Sequence, residues 1–169
     1  PQAGARAWRE ARLSERLRHP GIARIVDLLP VGGRLVLVRE LVAGHALDQV
    51  LAARGRLAWP DAARLGIQLA RALAHAHAQG VVHRDVKPAN VILDASGRPR
   101  LIDFDLARTL DTALALTRLT ATGEGLGSLG YLAPEQLDDA HTVDARADVF
   151  GLGATLLHAL AGQRPHAAV

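Results

Sequence analysis

The chain has 169 residues, of which 49% are hydrophobic and 22% charged, a composition typical of a folded globular domain rather than a disordered segment. It contains no cysteine, which excludes a disulfide framework and a thiolate metal site. The net charge is only +3 and both signs are mixed along the chain, so no nucleic-acid-binding surface is predicted, and no apolar run is long enough for a membrane segment.

The first predicted elements are a helix and a β-hairpin. Residues 4–18 have apolar side chains at helical spacing, and His19-Pro20-Gly21 ends that helix. Ile22–Leu29 and Arg34–Leu41 are apolar and rich in β-branched residues. The Pro30-Val31-Gly32-Gly33 segment between them therefore predicts a hairpin.

Helices and then two short strands follow the hairpin. Leu47–Ala53 is predicted to be a short helix. A long helix begins at Trp59-Pro60-Asp61 and ends at Gly80. Val81–Leu93 and Leu101–Phe104 flank a turn and predict two short strands.

The last third of the chain combines an aperiodic stretch with an apolar helix. Residues 105–132 have no clear period, and a loop of that length inside a compact domain is usually functional. Asp144–Ala161 is predicted to be a strongly apolar helix. Strands come first and helices later, which favours an α+β fold.

Two residue counts are informative. The chain has no methionine, so we expect it to be a piece of a longer protein. It has a single lysine, Lys87, beside 19 arginines. Because most surface cations can be either residue, Lys87 is expected to occupy a site that needs a compact ammonium group.

That lysine lies within Val82-His83-Arg84-Asp85-Val86-Lys87-Pro88-Ala89-Asn90, and Asp103-Phe104-Asp105 follows. Together these segments place Asp85, Lys87, Asn90 and Asp103 around one predicted loop and the adjacent strand end. Phosphoryl transfer uses this set, because a carboxylate accepts the proton of the attacking hydroxyl and an ammonium offsets developing charge. An Asp and an Asn hold the magnesium ions.

These motifs resemble those of the eukaryotic-like bacterial serine/threonine protein kinases. Gly127–Glu135 is similar to the family's substrate-docking segment, which ends in Ala-Pro-Glu, and Asp148–Gly153 to the start of its central helix. The resemblance implies a truncated protein-kinase-like fold. Residues 1–41 would be the remnant of the small lobe and the hinge, and residues 42–169 the large lobe up to its central helix.

The resemblance implies ATP and Mg²⁺ as cofactors and a protein with Ser/Thr hydroxyls as substrate. Asp85 would be the catalytic base and Lys87 its catalytic partner, while Asn90 and Asp103 would bind the metal. The backbone groups of Glu40 and Val42 would meet adenine, with Ile92 beneath the ring.

Further residues receive regulatory or structural roles from the same resemblance. Glu10 would form the ion pair of the regulatory helix. Arg84 would anchor a phosphorylated loop residue, and Thr120 or Thr122 would carry that phosphate. Ser128 would bridge Asp85 and Lys87 and is also counted as regulatory. The structural residues are His83 packed under Phe104, Glu135, and Asp148, which is expected to be buried and to accept backbone N–H bonds from the His83–Arg84 region.

Two substitutions depart from the family pattern: Arg39 stands at the gatekeeper position, and Asp105 replaces the usual glycine. The family's Gly-rich loop and strand lysine are not among these residues, so this chain alone is expected to be inactive and to bind ATP and Mg²⁺ weakly. A non-catalytic, pseudokinase-like interaction module or an inert remnant is the alternative to an enzyme. Arg84 and the Tyr131–Glu135 segment argue against a small-molecule phosphotransferase.

The expected location is the cytoplasm, with membrane anchoring of the longer protein and its oligomeric state left open.

Overall fold

The computed structural model describes residues 12–32, 34–104, 129–138 and 143–165. Residues 12–15 are helical, and the chain leaves that helix at Arg16. The strands and helices that follow, in chain order, are β1 (Ile25–Val31), β2 (Arg34–Arg39), β3 (Gly44–Ala46), α1 (Leu47–Arg54), α2 (Trp59–His77), a 3-10 turn (Pro88–Asn90), β4 (Val91–Asp94), β5 (Pro99–Leu101), α3 (Glu135–Asp138) and α4 (Ala145–Ala161).

Strands β1 and β2 form the predicted antiparallel hairpin, with Val31 opposite Arg34 and Ile25 opposite Arg39. The first strand begins three residues later than the sequence pattern indicates. The reason is that Ile22 forms a parallel bridge with Leu101 of β5 instead. Ala23 N–H donates to the Leu101 carbonyl at 2.8 Å, and Leu101 N–H donates to the Gly21 carbonyl at 2.8 Å. These bonds connect the hairpin to the larger part of the chain.

Strands β3, β4 and β5 form a second antiparallel sheet in that order. A tight turn at Asp94 joins β4 to β5, because its carboxylate accepts hydrogen bonds from the Ser96 hydroxyl at 2.6 Å and from Arg98 N–H at 3.0 Å. The same two contacts hold the pKa of Asp94 well below its usual range. This hairpin aligns the residues before Asp94 with those leading to Asp103.

The main core lies between helices α1, α2 and α4 and the second sheet. Apolar residues of α2 recur at helical spacing and are buried, as expected for an amphipathic helix. A Cβ atom at Gly66 would lie 3.0 Å from Leu156 Cδ1, so α2 and α4 approach closely there. The core includes Leu17, Ile22, Leu47, Leu51, Leu65, Leu69, Leu73, Val86, Val91, Leu101 and Ala159.

The observed architecture is the expected α+β fold with small sheets and packed helices, although several predicted bounds change. The first helix ends at Glu15 and not Arg18, and α2 ends at His77 and not Gly80. Regular strand within Val81–Leu93 is confined to its last residues, and the strand expected over Leu101–Phe104 ends at Leu101 because Asp103 has a left-handed backbone with φ of 57°. Within the described residues, no helix is both long enough and apolar enough to cross a membrane.

Candidate active site

The loop between α2 and the 3-10 turn is held in place by a carboxylate from α4. Asp148 is 1% exposed and accepts N–H bonds from His83 at 2.8 Å and Arg84 at 2.7 Å. It also accepts a bond from His77 Nε2 at 2.6 Å. Because Asp148 lies in the first turn of α4, the helix dipole favours its negative charge. This is the geometry expected for Asp148 from the sequence.

His83 connects this loop to the segment after β5. Its side chain is fully buried, and its ring centroid lies 4.5 Å from that of Phe104. His83 Nε2 donates to the Ile102 carbonyl at 3.0 Å, and Nδ1 accepts Asp85 N–H at 3.3 Å. Both ring nitrogens are therefore used in structural hydrogen bonds, which fits a packing role rather than proton transfer.

Asp85, Lys87 and Asn90 form one polar cluster in this loop. Lys87 Nζ lies 2.8 Å from Asp85 Oδ2, and the two side chains are 20% and 16% exposed. Asn90 Nδ2 donates to Asp85 Oδ2 and to the Asp85 carbonyl, both at 2.8 Å. Since both atoms are acceptors, the amide nitrogen of Asn90 must face Asp85, and its Oδ1 remains for another ligand.

Asp103 lies beside this cluster. Ile102 N–H donates to the Asn90 carbonyl at 3.0 Å, which holds the residue before Asp103 against the 3-10 turn. The Asp103 carboxylate is 54% exposed and forms an ion pair with Arg39 Nη1 at the end of β2. The left-handed backbone at Asp103 turns its side chain away from the strand direction.

The predicted hinge is attached to both sheets. Glu40 Oε1 accepts Arg24 N–H at 2.9 Å and forms an ion pair with Arg100, which also donates to the Ile22 carbonyl at 3.1 Å. Val42 is half-buried shortly before β3. Ile92, on β4, is half-buried and pairs with Ala46 of β3. The three residues expected to meet adenine thus belong to one connected region of strand and turn.

The Ala-Pro-Glu segment contacts the same loop through a residue that the sequence analysis did not single out. Gln136 Nε2 donates to the Arg84 carbonyl at 2.7 Å, and its Oε1 accepts Ala133 N–H at 3.1 Å. Arg84 itself has a left-handed backbone with φ of 66°. Glu135 lies exposed at the first residue of α3, and its expected structural role stays a prediction.

Tyr131 fixes the start of that segment to α4. Its hydroxyl lies 2.7 Å from His158 Nδ1, and both residues are buried. Burial raises the pKa of Tyr131 and lowers the pKa of His158. The neutral phenol therefore donates to a neutral imidazole near pH 7.

The two predicted metal ligands, Asn90 and Asp103, are among the described residues. The exposed Asp103 carboxylate and the Asn90 amide oxygen are hard donors of the kind that Mg²⁺ prefers. Within the described ranges no group of three or more His, Cys, Asp or Glu could hold a metal by itself. A site of two protein ligands fits Mg²⁺, which usually keeps waters and substrate phosphates in its coordination shell.

Several predicted site residues lie outside the described residues. They are Glu10, Asp105, Thr120, Thr122 and Ser128. The sequence pattern indicates no role for His77 or Gln136, and it does not indicate the ion-pair partners of Arg39 and Arg100. A detectable signal existed for His77, which follows buried Leu73 by four residues and so lies on the apolar face of α2.

Comparisons with known proteins agree with the motifs. A family model described as "Protein kinase domain" matches residues 2–169. Serine/threonine-protein kinase PknA of Mycobacterium tuberculosis is 40% identical over 163 residues, which cover 94% of this chain and 37% of that protein. Serine/threonine-protein kinase PkaA of Streptomyces coelicolor is 42% identical over 163 residues, covering 95% of this chain and 29% of that protein. The chain thus spans well under half the length of these curated relatives.

Proposed function

The chain belongs to the protein kinase domain family, and on this premise we propose that the protein containing it transfers the γ-phosphoryl group of ATP to Ser/Thr hydroxyls of other proteins. The names of the similar relatives support the serine/threonine class. Lys87, two residues after Asp85, supports the same class through the resemblance described above. Members of the family use ATP with Mg²⁺.

The observation that carries the proposal is the cluster of Asp85, Lys87 and Asn90 with Asp103 beside it. Asp85 is oriented by the Asn90 amide and paired with the Lys87 ammonium at 2.8 Å. Its carboxylate is 16% exposed, so it is reachable from solvent while being held in one orientation. In the proposed reaction this carboxylate accepts the proton of the substrate hydroxyl, and Lys87 offsets charge that develops on the phosphoryl group.

Asn90 Oδ1 and the Asp103 carboxylate would hold Mg²⁺, which supplies charge neutralisation on the transferred phosphate. The Glu40 carbonyl and the backbone groups of Val42 would receive adenine, with Ile92 against the ring. In the proposed division of the chain, residues 1–41 belong to the small lobe and hinge and residues 42–169 to the large lobe. Because the reaction needs ATP, we place it in the cytoplasm.

The test is Asp85→Asn in the full-length protein, measured by transfer of labelled phosphate to a generic Ser/Thr protein substrate. General base catalysis contributes roughly 10²–10⁴-fold, so the transfer rate should fall by that factor. Nucleotide affinity should stay unchanged, because the proposed role of Asp85 is toward the hydroxyl. Asp61→Asn is the control, since Asp61 lies on the exposed side of α2 and pairs with Arg64. Asp85→Asn retaining more than about a tenth of the wild-type rate contradicts the proposal.

A non-catalytic interaction module is the second candidate, and one observation favours it. Arg39 already neutralises Asp103, the acid proposed to bind the metal. On this alternative the wild-type protein shows no phosphoryl transfer, and Asp85→Asn leaves its binding to a protein partner unchanged. Measured transfer by the wild-type protein would exclude it.

A further inference from the structure

We propose that Arg39 determines which ligand the metal site accepts: it disfavours a free divalent cation and favours a metal–nucleotide complex, whose phosphate binds the Arg39 guanidinium. This inference rests on the proposed function. It adds a specificity residue at a position where the sequence departs from its family's usual apolar side chain.

The ion pair between Arg39 and Asp103 joins two positions with a fixed backbone. Arg39 ends β2 and is paired across the hairpin with Ile25. Asp103 follows Ile102, whose N–H is bonded to the Asn90 carbonyl at 3.0 Å. The side chains are 36% and 54% exposed, so the pair lies at the surface, where such pairs contribute little stability. The effect of this ion pair is therefore to be sought in the charge of the Asp103 carboxylate, which Arg39 neutralises, and not in the stability of the fold.

Three described carboxylates of the site each form an ion pair with a cation. Asp85 contacts Lys87, Asp103 contacts Arg39, and Glu40 contacts Arg100. Of these three ion pairs, the one with Arg39 involves the proposed metal ligand Asp103 itself. A free divalent cation approaching this site meets carboxylates that are already neutralised, which lowers its affinity.

The electrostatic interactions differ when a metal–nucleotide complex approaches the same site. Its phosphates carry net negative charge, and a guanidinium binds phosphate oxygens through two parallel N–H bonds. Arg39 can therefore release Asp103 to the metal and gain a phosphate partner in the same step. The metal and the nucleotide would consequently bind together rather than one after the other.

The surroundings limit where a released Arg39 side chain can go. Arg39 and Asp103 both line a cavity of about 20 Å³, whose walls also include Leu17, Leu37 and Phe104. That volume suffices for about one water molecule and cannot accept a guanidinium group. A released Arg39 side chain therefore does not fit into that cavity and is left available to a ligand of Asp103.

The experiment measures binding of Mn²⁺, a paramagnetic substitute for Mg²⁺, to the full-length protein by the electron paramagnetic resonance signal of the free ion, with and without ADP. Arg39→Met should bind Mn²⁺ alone roughly fivefold more tightly, the fold-change that corresponds to about 1 kcal/mol. The same variant should lose part of the wild-type preference for Mn²⁺ with ADP over Mn²⁺ alone. Arg39→Lys keeps the positive charge but replaces the planar guanidinium group with an ammonium group, so the affinity of this variant for Mn²⁺ alone should stay near that of the wild type.

The matched control is Arg98→Met. Arg98 also pairs with an aspartate, Asp94, but it lies on the exposed turn between β4 and β5. The Arg98→Met substitution removes the same positive charge as Arg39→Met, and it should leave the affinity for Mn²⁺ unchanged. Equal affinities in Arg39→Met and Arg98→Met overturn the role of Arg39 while leaving the metal site intact. If Asp103→Asn does not weaken Mn²⁺ binding in either the wild type or Arg39→Met, both this inference and the proposed metal site are wrong.

Discussion

Asp148 holds the loop between α2 and the 3-10 turn through hydrogen bonds that it accepts as a buried carboxylate. It accepts the N–H groups of His83 and Arg84 and a bond from His77. A buried N–H group without an acceptor is costly, so these contacts stabilise one loop conformation against others. Asp85 follows directly, and its orientation depends on that conformation.

Replacing Asp148 by Ala should therefore destabilise the protein. Two backbone N–H groups in or near the core lose their acceptor at roughly 1–3 kcal/mol each, so the free energy of unfolding should fall by about 2–6 kcal/mol. Urea denaturation of the full-length protein measures this. Asp61→Ala is the control, and it should change stability by no more than about 1 kcal/mol because its ion pair with Arg64 is exposed. An equal loss of stability in the two variants would mean that the hydrogen bonds to Asp148 contribute no more to stability than an exposed ion pair does.

At the residue scale the sequence predicts the position of Asp148 but not all of its partners. Its motif lies near the start of an apolar helix, where a carboxylate needs donors, and the resemblance named the loop that supplies them. His77 and Gln136 were missed because each bonds a partner far away in sequence. Nothing in the residues adjacent to Gln136 indicates that it contacts Arg84.

At the scale of elements, α4 contacts the loop between α2 and the 3-10 turn at a glycine. A Cβ atom at Gly151 would lie 2.8 Å from the Val86 carbonyl oxygen and 3.0 Å from Val86 Cβ. Val86 lies between Asp85 and Lys87, so this contact sets the distance between the helix and the proposed catalytic residues. At Gly153, on the same helix, a Cβ atom would have nothing within 4 Å.

These two glycines allow a matched test of that contact. Gly151→Ala should force the loop away from α4, lowering stability by about 1–3 kcal/mol and reducing phosphoryl transfer in the full-length protein. Gly153→Ala should stabilise α4 by up to about 1 kcal/mol, because alanine is the better helix former, and it should leave transfer unchanged. Denaturation midpoints and transfer rates measure both effects. Equal changes in stability and in transfer rate in the two variants would show that the close contact between Gly151 and Val86 is unimportant.

The elements themselves follow from local pattern more than their ends do. The hairpin, α1, α2 and α4 were predicted because periodicity and turn residues are local signals. The end of β5 was missed because Asp103 adopts a left-handed backbone that its apolar neighbours do not indicate. The start of β1 was missed because Ile22 pairs with β5 and not within the hairpin.

At the scale of the whole molecule, the proposed regulation lies in residues 105–132, whose Thr120 and Thr122 are outside the described residues. A phosphate adds about −1.5 to −2 charges and forms 1–3 charge-assisted hydrogen bonds with a suitable arginine. We propose Arg84, which lies next to the proposed base, as that arginine. Phosphorylation would then position Ser128 against Asp85 and Lys87.

The prediction is that a full-length Thr120→Ala, Thr122→Ala double variant loses most of its phosphoryl transfer, and that Arg84→Ala behaves similarly. Transfer rates and mass spectrometry of the loop measure this, with Thr109→Ala as a control expected to retain activity. Full activity in both the double variant and Arg84→Ala would show that loop phosphorylation is not the switch. Loss in the double variant alone would assign the phosphate to another cation.

The bridge between Ile22 and Leu101 also bears on the order in which the protein folds. Helices α1 and α2 form from neighbouring residues, whereas this bridge must wait until β5 has been placed by its own turn at Asp94. Contacts between distant residues close late because loop-closure entropy opposes them. The hairpin is therefore expected to dock last and to detach first. Early exchange of the amide hydrogens of Ala23 and Leu101 would then report opening between hairpin and helices before the core unfolds.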